Sequence, residues 1–162
     1  MAEFELDSNL VIGPFEAKDA TQALRYIAEH LVRLGYVKET YPDAVISREK
    51  EFPTGLPTNG PGVAIPHCDP SHVIKPAIAV ATLAHPVPFG LMGGKQATVP
   101  VDIIMMLAIN DPSTQIDILR QVSLMVQNPR ILNSLKSATC QREVIKILKN
   151  VFTAPDSECV RS

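Results

Sequence analysis

The part of the chain with the clearest chemical potential is a short apolar segment that ends in proline and histidine. Residues 62–67 read Gly-Val-Ala-Ile-Pro-His. Because proline cannot donate to a sheet ladder, Pro66 ends the strand predicted for Val63 to Ile65, and His67 is left at the carboxyl edge of that strand. Open α/β sheets place their ligand sites at this edge. His67 is therefore the first candidate for chemistry.

Groups suited to an anion precede His67 in the sequence. Arg48 falls in the last turns of a predicted helix, and the loop at Thr54 and Gly55 leads into the strand. A guanidinium, a hydroxyl and backbone amides are the parts that anion sites use. A neutral imidazole, with an unperturbed pKa of about 6.5, is a competent nucleophile near pH 7. We expect His67 to accept a phosphoryl group and Arg48 to stabilise its charge; the alternatives are an ordinary surface histidine and a solvated arginine.

Other chemistries are weakly supported. His67, Cys68 and His72 could in principle bind a soft metal, but adjacent ligands are sterically awkward and no fourth ligand follows at a familiar spacing. Nothing near Cys68 marks an oxyanion hole, so a small buried side chain is favoured over a nucleophile. No glycine-rich nucleotide loop is present. We expect neither a metal nor an organic cofactor.

Composition limits the protein class. The chain has 162 residues, of which 46% are hydrophobic and 20% charged, and a net charge of −2 without any block of like charges. One compact domain that does not bind nucleic acid is expected. No apolar run approaches the roughly 20 residues of a membrane span, the first 15 residues are acidic, and the three cysteines have no paired spacing. These features predict a cytoplasmic protein.

Two helices are predicted before the His67 strand. The first covers residues 18–35, and its buried stripe consists of Leu24, Ile27, Leu31 and Leu34. The second is predicted to begin with Thr40 as its cap and to end at Pro53. The stretch 53–62, rich in proline and glycine, is predicted to be a loop.

Two further strands are predicted after His67. The runs 77–83 and 101–109 are nearly continuous and apolar, which is typical of strands covered on both faces. Asp102 is interpreted as the polar entrance of the second strand. The segment 84–100 between them contains several prolines and glycines, and it is predicted to be a loop that could hold one short strand.

The C-terminal third is predicted to be helical. Asp111 and Pro112 suit the start of a helix whose inward face consists of Ile116, Leu119, Val122 and Val126. A short helix at 131–135 and a final helix at 140–151 follow. Because several strand connections are too short for a helical crossover, the sheet is predicted to be mixed.

The predicted fold is thus α/β, a single layered domain with a mixed central sheet of about five strands flanked by helices. The domain is expected to span residues 1–152. Residues 153–162 are predicted to form a flexible C-terminal tail.

The motifs around His67 resemble those of a known family. Arg-Glu at 48–49, Phe-Pro-Thr-Gly at 52–55 and Val-Ala-Ile-Pro-His-Cys at 63–68 resemble the enzyme IIA components of the phosphoenolpyruvate-dependent sugar phosphotransferase system, in the fructose and mannitol superfamily. The resemblance covers about 19–151. The Pro-His-Cys form is most similar to the galactitol-type enzyme IIA.

This resemblance implies a phosphocarrier. His67 would accept a phosphoryl group from the histidine-containing phosphocarrier protein and pass it to a cysteine of enzyme IIB, in a system completed by a membrane permease component. Arg48 matches the family arginine that lies against the phosphate. The mannitol branch has a second histidine near the position of Gln115, which can donate a hydrogen bond but cannot carry a charge.

Two points stay open at the level of sequence. A regulatory module of the same fold, in which phosphorylation of His67 controls a partner protein, is the alternative to a role in uptake. Both partners of a phosphocarrier must reach His67, so we expect an apolar ring around it. Leu91 and Met92, or Val73 and Ile74, are its predicted members.

Overall fold

The computed structural model describes residues 6–94 and 96–153. Apart from Thr153, the predicted tail lies outside the described residues, as do residues 1–5. Within the described part there are five strands: β1 (Val11–Phe15), β2 (Gly55–Leu56), β3 (Val63–Ala64), β4 (Ala77–Gly90) and β5 (Thr98–Ala108). The α-helices of that part are α1 (Ala20–Arg33), α2 (Tyr41–Glu51), α3 (Pro112–Met125), α4 (Pro129–Ser137) and α5 (Gln141–Thr153).

The five strands form one mixed sheet in the order β1-β4-β5-β3-β2. The pairs β1/β4 and β3/β5 are parallel, whereas β4/β5 and β2/β3 are antiparallel. This arrangement confirms the predicted α/β class and the mixed sheet. It also places β3, the strand that leads to His67, between β5 and the short β2.

Helices cover both faces of the sheet because the side chains of a central strand alternate between them. On β5, Ile104 and Met106 pack with the buried side chains of α1 and α2. Their neighbours Ile103 and Met105 pack with those of α3, α4 and α5 on the other face. Central strands of this kind are apolar on both sides, as their sequences predicted.

The first helix forms as its pattern predicts. Asp19 accepts a hydrogen bond from the amide of Gln22 (2.8 Å), and the side chain of Gln22 accepts one from the amide of Lys18 (2.7 Å). Leu24 and Ile27 are at most 1% exposed. Burying side chains of this size contributes roughly 1.5–3 kcal/mol each.

The second helix is anchored differently from the prediction. Thr40 lies at its N-cap but makes no capping hydrogen bond with its side chain. Instead, the hydroxyl of Tyr41 donates to the carbonyl of Leu107 on β5 (2.7 Å). This buried bond attaches the start of α2 to the centre of the sheet.

Three strand predictions need correction. The strand β1 was missed, and β2 lies inside the predicted loop 53–62. The predicted loop 84–100 is largely an antiparallel arm, in which residues 87–90 of β4 pair with residues 98–101 of β5. Prolines alternate there with buried valine and phenylalanine, so they lie on the exposed side of the arm.

The predicted inward face of α3 is also partly wrong. Ile116 is 58% exposed, whereas Ile118, Val122 and Met125 are buried. The start of the helix is as predicted, because Asp111 accepts a hydrogen bond from the amide of Thr114 (2.9 Å). Ile116 is therefore an apolar side chain left at the surface near the start of α3.

The two last helices agree with their predictions to within a few residues. Pro129 begins α4 and separates it from α3, and α5 buries Val144 and Leu148. No helix among the described residues is both long enough and apolar enough to span a lipid bilayer.

Candidate functional site

His67 lies just beyond the carboxyl end of β3. After Ala64, the chain continues through Ile65 and Pro66, and the carbonyl of Pro66 accepts a hydrogen bond from the amide of Leu107 (3.0 Å). The carbonyl of Leu107 also accepts from the hydroxyl of Tyr41, so this residue of β5 is hydrogen-bonded both to the His67 segment and to α2. The segment that carries His67 is thus fixed to the sheet although it lies outside the strand.

One ring nitrogen of His67 is engaged in a hydrogen bond. Its Nδ1 lies 2.8 Å from the carbonyl oxygen of Ile65. Since a carbonyl can only accept, Nδ1 carries the proton, and in the neutral ring Nε2 has the lone pair. Within the described residues no hydrogen bond engages Nε2. The side chain is half-buried.

The environment favours the neutral ring. Burial is the main cause that lowers the pKa of His67; the bond to Ile65 opposes this effect, and the positive charge of Arg48 adds to it. A lowered pKa leaves the imidazole unprotonated at neutral pH. The geometry therefore presents a nucleophilic Nε2.

Arg48 supplies the positive charge at this end of the sheet. It lies in the last turn of α2, and its charge acts on the three consecutive residues 67–69. The Cζ atom of Arg48 lies 5.1 Å from the ring centroid of Phe52, within the range of a cation–π contact. Among the described residues no carboxylate forms an ion pair with Arg48. Arg48 is an exposed residue, so its side chain can meet an anion.

Gln115 reaches the same segment from α3. Its Nε2 donates to the carbonyl of Cys68 at 3.4 Å, which is a long hydrogen bond. Gln115 lies in the first turn of α3, and its backbone amide donates to the carbonyl of Asp111. The structure therefore brings His67, Arg48 and Gln115 to one end of the sheet from three separate elements.

Two residues beside the site are buried: Thr54, whose hydroxyl was expected to serve an anion but instead bonds to Glu49 and Ile65, and Glu49, which sequence reasoning did not single out. Glu49 and Thr54 are 7% and 4% exposed. The carboxylate of Glu49 accepts hydrogen bonds from the amide (2.7 Å) and the hydroxyl (2.8 Å) of Thr54. A signal was present: Glu49 follows Val45 and Ile46 at helical spacing, which puts a carboxylate on the apolar stripe of α2.

Comparisons with known proteins identify the family. The family model of the phosphoenolpyruvate-dependent sugar phosphotransferase system, EIIA 2, matches residues 5–151. This chain belongs to the EIIA type 2 family. The galactitol-specific EIIA component of Escherichia coli (strain K12) is 32% identical over 117 residues, which are 72% of this chain and 77% of that protein.

Two further relatives show the range of this family. A nitrogen regulatory protein of Pseudomonas aeruginosa is 31% identical over 115 residues, 70% of each chain. A chain in the solved complex of enzyme IIAMTL and phosphorylated enzyme IIBMTL from Escherichia coli has the same fold, with a TM-score of 0.76 and 22% identity. That match covers 91% of this chain and 99% of the other. The resemblance stated from the motifs is thus confirmed, and EIIA components are phosphotransfer proteins.

Cys68 and His72 of this EIIA protein follow His67 and have separate surroundings. Burial is the main cause that raises the pKa of Cys68 to about 12, so the thiol is protonated and poorly nucleophilic. The Nδ1 atom of His72 lies 2.8 Å from the hydroxyl of Thr40. Across the described residues no three His, Cys, Asp or Glu side chains are grouped closely enough to hold a metal ion.

Apolar side chains are exposed close in sequence to the candidate site residues of this EIIA protein. Phe52 (54% exposed) follows Arg48, and Ile116 (58%) follows Gln115. Of the predicted ring members, Ile74 and Met92 are 52% and 42% exposed, whereas Leu91 is half-buried and Val73 is buried. The main chain of Met92 bonds to Gly55 of β2 (2.9 Å), which places the end of the β4/β5 arm against the strand beside β3.

Proposed function

We propose that this protein is a phosphocarrier that takes a phosphoryl group onto His67 and passes it to a protein thiol. The donor would be the histidine-containing phosphocarrier protein, and the acceptor a cysteine of an enzyme IIB that works with a membrane permease. The observation that carries the proposal is the 2.8 Å contact between Nδ1 of His67 and the carbonyl of Ile65, which leaves Nε2 as the nucleophile. The uptake of a galactitol-like polyol is favoured by the 32% identity with the galactitol-specific component.

Both transfers balance without a cofactor. The lone pair of Nε2 attacks phosphorus, the bond between phosphorus and the donor nitrogen breaks, and that nitrogen takes back its electron pair. The ring of His67 then carries phosphate on Nε2 and a proton on Nδ1, and its positive charge is stabilised by the carbonyl of Ile65. In the second step a thiolate attacks phosphorus, and the N–P bond returns its electrons to Nε2.

The neighbouring residues would stabilise charge and position the phosphate. Arg48 would face the phosphate oxygens, on which charge is spread during in-line transfer. Gln115 would donate a hydrogen bond to a phosphate oxygen or to the His67 segment. The exposed Phe52 and Ile116 flank these two residues in sequence, and we propose that they belong to the apolar ring on which each partner docks.

The direct test is phosphorylation with phosphoenolpyruvate, enzyme I and the histidine-containing phosphocarrier protein. We expect the intact mass to increase by one phosphoryl group, and the label to be acid-labile and base-stable. His67→Ala should lose the label completely. His72→Ala is the matched control, because His72 lies on the same segment, and it should be labelled normally. Labelling of His67→Ala would show that the acceptor is another residue.

A regulatory role is the second candidate, since a nitrogen regulatory protein is 31% identical over 115 residues. Both candidates require phosphohistidine. They are separated by mixing the phosphorylated protein with a cognate enzyme IIB. Loss of the label to an IIB cysteine favours uptake, whereas transfer only back to the phosphocarrier protein favours regulation.

A further inference from the structure

The buried pair Glu49 and Thr54 has no part in the proposed transfer steps. Its contacts nevertheless lead directly to the reactive histidine. The hydroxyl of Thr54 donates to Glu49 (2.8 Å) and accepts from the amide of Ile65 (3.1 Å). The carbonyl of the same Ile65 holds Nδ1 of His67. Three hydrogen bonds therefore connect a buried carboxylate with the imidazole.

The hydroxyl of Thr54 accepts the hydrogen bond that the amide of Ile65 would otherwise donate to the backbone of a neighbouring strand. The β2/β3 pairing ends at Gly55 opposite Ala64, so Ile65 lies one residue beyond it. Thr54 would be the next residue opposite, but its side chain satisfies the amide of Ile65. On the other side, Leu107 holds the carbonyl of Pro66. The orientation of the Ile65 carbonyl thus depends on Thr54, because Pro66 has no N–H to support it.

Glu49 connects this segment to Arg48. The two residues are adjacent in the last turn of α2, where Arg48 is exposed and Glu49 is buried. Anchoring Glu49 on Thr54 therefore sets where the preceding residue of the helix, Arg48, projects. Phe52, which lies against the guanidinium, ends the helix by donating from its amide to the carbonyl of Arg48.

We propose that Glu49 and Thr54 are positioning residues: their hydrogen bonds lock the Nδ1-protonated tautomer of His67 and hold Arg48 beside it. This inference rests on the proposed phosphocarrier function for its effect on rate, but the tautomer itself can be measured without any transfer. The pair acts through Ile65 and the helix turn and does not touch the phosphate.

The chemistry of the pair fits a positioning role better than a purely stabilising one. Among the described residues only Thr54 donates to the carboxylate of Glu49, and no cation forms an ion pair with it. Burial is the main cause that raises the pKa of Glu49 to about 7, and the two bonds from Thr54 oppose this effect. A carboxylate kept in such a place destabilises the fold relative to an apolar side chain.

The test compares Thr54→Val, which has nearly the same shape but no hydroxyl, with Thr54→Ser, which keeps it. The control is Ile118→Val, a loss of one methylene in the core on the other face of the sheet. For each variant we would measure the ¹⁵N chemical shifts of His67, the initial rate of phosphorylation, and the urea midpoint of unfolding. Glu49→Gln, which can keep only part of the bonding to Thr54, is the second variant.

We expect wild type, Thr54→Ser and Ile118→Val to show the Nδ1-protonated tautomer and similar rates. Thr54→Val should show a mixture of tautomers and a rate at least tenfold lower, and Glu49→Gln an intermediate loss. If Thr54→Val does not fold, the comparison of Thr54→Ser with Glu49→Gln decides in the same way. A wild-type tautomer in Thr54→Val and Glu49→Gln, or rates that follow the urea midpoint alone, would overturn the proposal.

The proposed function can fail separately from this inference. If the wild-type protein is never labelled at His67, the phosphocarrier function is wrong. The tautomer measurement is still informative in that case, because it depends only on the resting protein.

Discussion

A buried carboxylate lies beside each end of β3, Asp102 of β5 at the amino end and Glu49 of α2 at the carboxyl end, and the two have different hydrogen-bond partners. At the amino end Asp102, 7% exposed, accepts an ion pair from Lys136 of α4 at 3.0 Å, and its amide donates to Gly62. At the carboxyl end Glu49, also 7% exposed, accepts from the neutral Thr54 and from no other residue in the described part of the chain.

We infer that this difference separates a structural region from the proposed functional one. The ion pair of Asp102 connects β5 to α4 and neutralises its own charge. Glu49 has no such partner among the described residues, and it lies next to the cation of the candidate site. Placing a lysine beside Glu49 would satisfy the carboxylate, but it would add a second cation close to His67. Changes at the amino end of β3 should therefore affect stability, and changes at the carboxyl end should affect phosphorylation.

The largest expected effect is at the carboxyl end. Arg48→Ala should lower the initial rate of phosphorylation roughly a hundredfold, about 2.7 kcal/mol of transition-state stabilisation, because the phosphate oxygens lose their cation. Arg48→Lys should recover part of the rate, since a lysine keeps the charge but not the planar guanidinium. Mass-labelled time courses give the rates, and circular dichroism checks the fold. An unchanged rate would remove Arg48 from the site.

The next effect is at the amino end. Lys136→Met should lower the free energy of unfolding by about 2 kcal/mol, because it leaves the buried carboxylate of Asp102 without its cation. Urea unfolding measures this change. Adding Asp102→Asn should recover part of the loss. The phosphorylation rate should equal that of wild type, and a slower rate at unchanged stability would contradict the division between the two ends.

The pH dependence of the free energy of unfolding tests the environment of Glu49, at the carboxyl end of β3. Because the pKa of Glu49 is about 7 in the folded protein and near 4.5 when unfolded, the folded state binds more protons between these values. The contribution of Glu49 to the free energy of unfolding therefore falls as the pH rises from about 4.5 to 7.

Glu49→Gln removes this contribution. From pH 5 to pH 7, wild type should lose about 1–2 kcal/mol of stability relative to the variant. The lowered pKa of His67 acts with the opposite sign, since stability is lost as the pH falls below 6.5, but it is common to both proteins. Glu51→Gln, at an exposed position of the same helix, controls for the loss of a charge. Parallel curves for wild type and Glu49→Gln would show that Glu49 is not protonated in this range.

The smallest expected effect is at Gln115. Its bond to the carbonyl of Cys68 is long, 3.4 Å, and involves no charge. Gln115→Ala should slow phosphorylation about threefold, less than 1 kcal/mol. A loss as large as that of Arg48→Ala would mean that the amide contacts the phosphate directly in the transition state.

The parts of the fold that sequence predicted best are those with a strong local pattern. The stripe of α1 repeats at helical spacing, and the continuous apolar runs of β4 and β5, rich in valine and isoleucine, are typical of strands covered on both faces. The arm at 84–100 was predicted to be a loop because its prolines resemble turn residues, and only the register of β4 against β5 shows that they lie on an exposed face. Ile116 was predicted to face the core because it is apolar and falls at helical spacing. Periodicity alone does not distinguish a buried apolar side chain from one that is exposed at the surface.

The candidate site was predictable to a similar degree. His67 and Arg48 are only 19 positions apart in the sequence, so a single local motif contains both. The bond between Thr54 and Ile65 depends on the pairing of β2 with β3, and β2 has only two residues. A strand this short leaves no periodic signal, and the path from Glu49 to His67 is therefore visible only in three dimensions.

The most direct test of the account is the position of phosphorus on the ring of His67. Long-range ¹H–¹⁵N and ³¹P spectra of the phosphorylated protein can identify the nitrogen that is bonded to phosphorus. Because Nδ1 donates to the carbonyl of Ile65, we predict phosphorus on Nε2 and a retained proton on Nδ1. Phosphorus on Nδ1, or on any residue other than His67, would contradict the account.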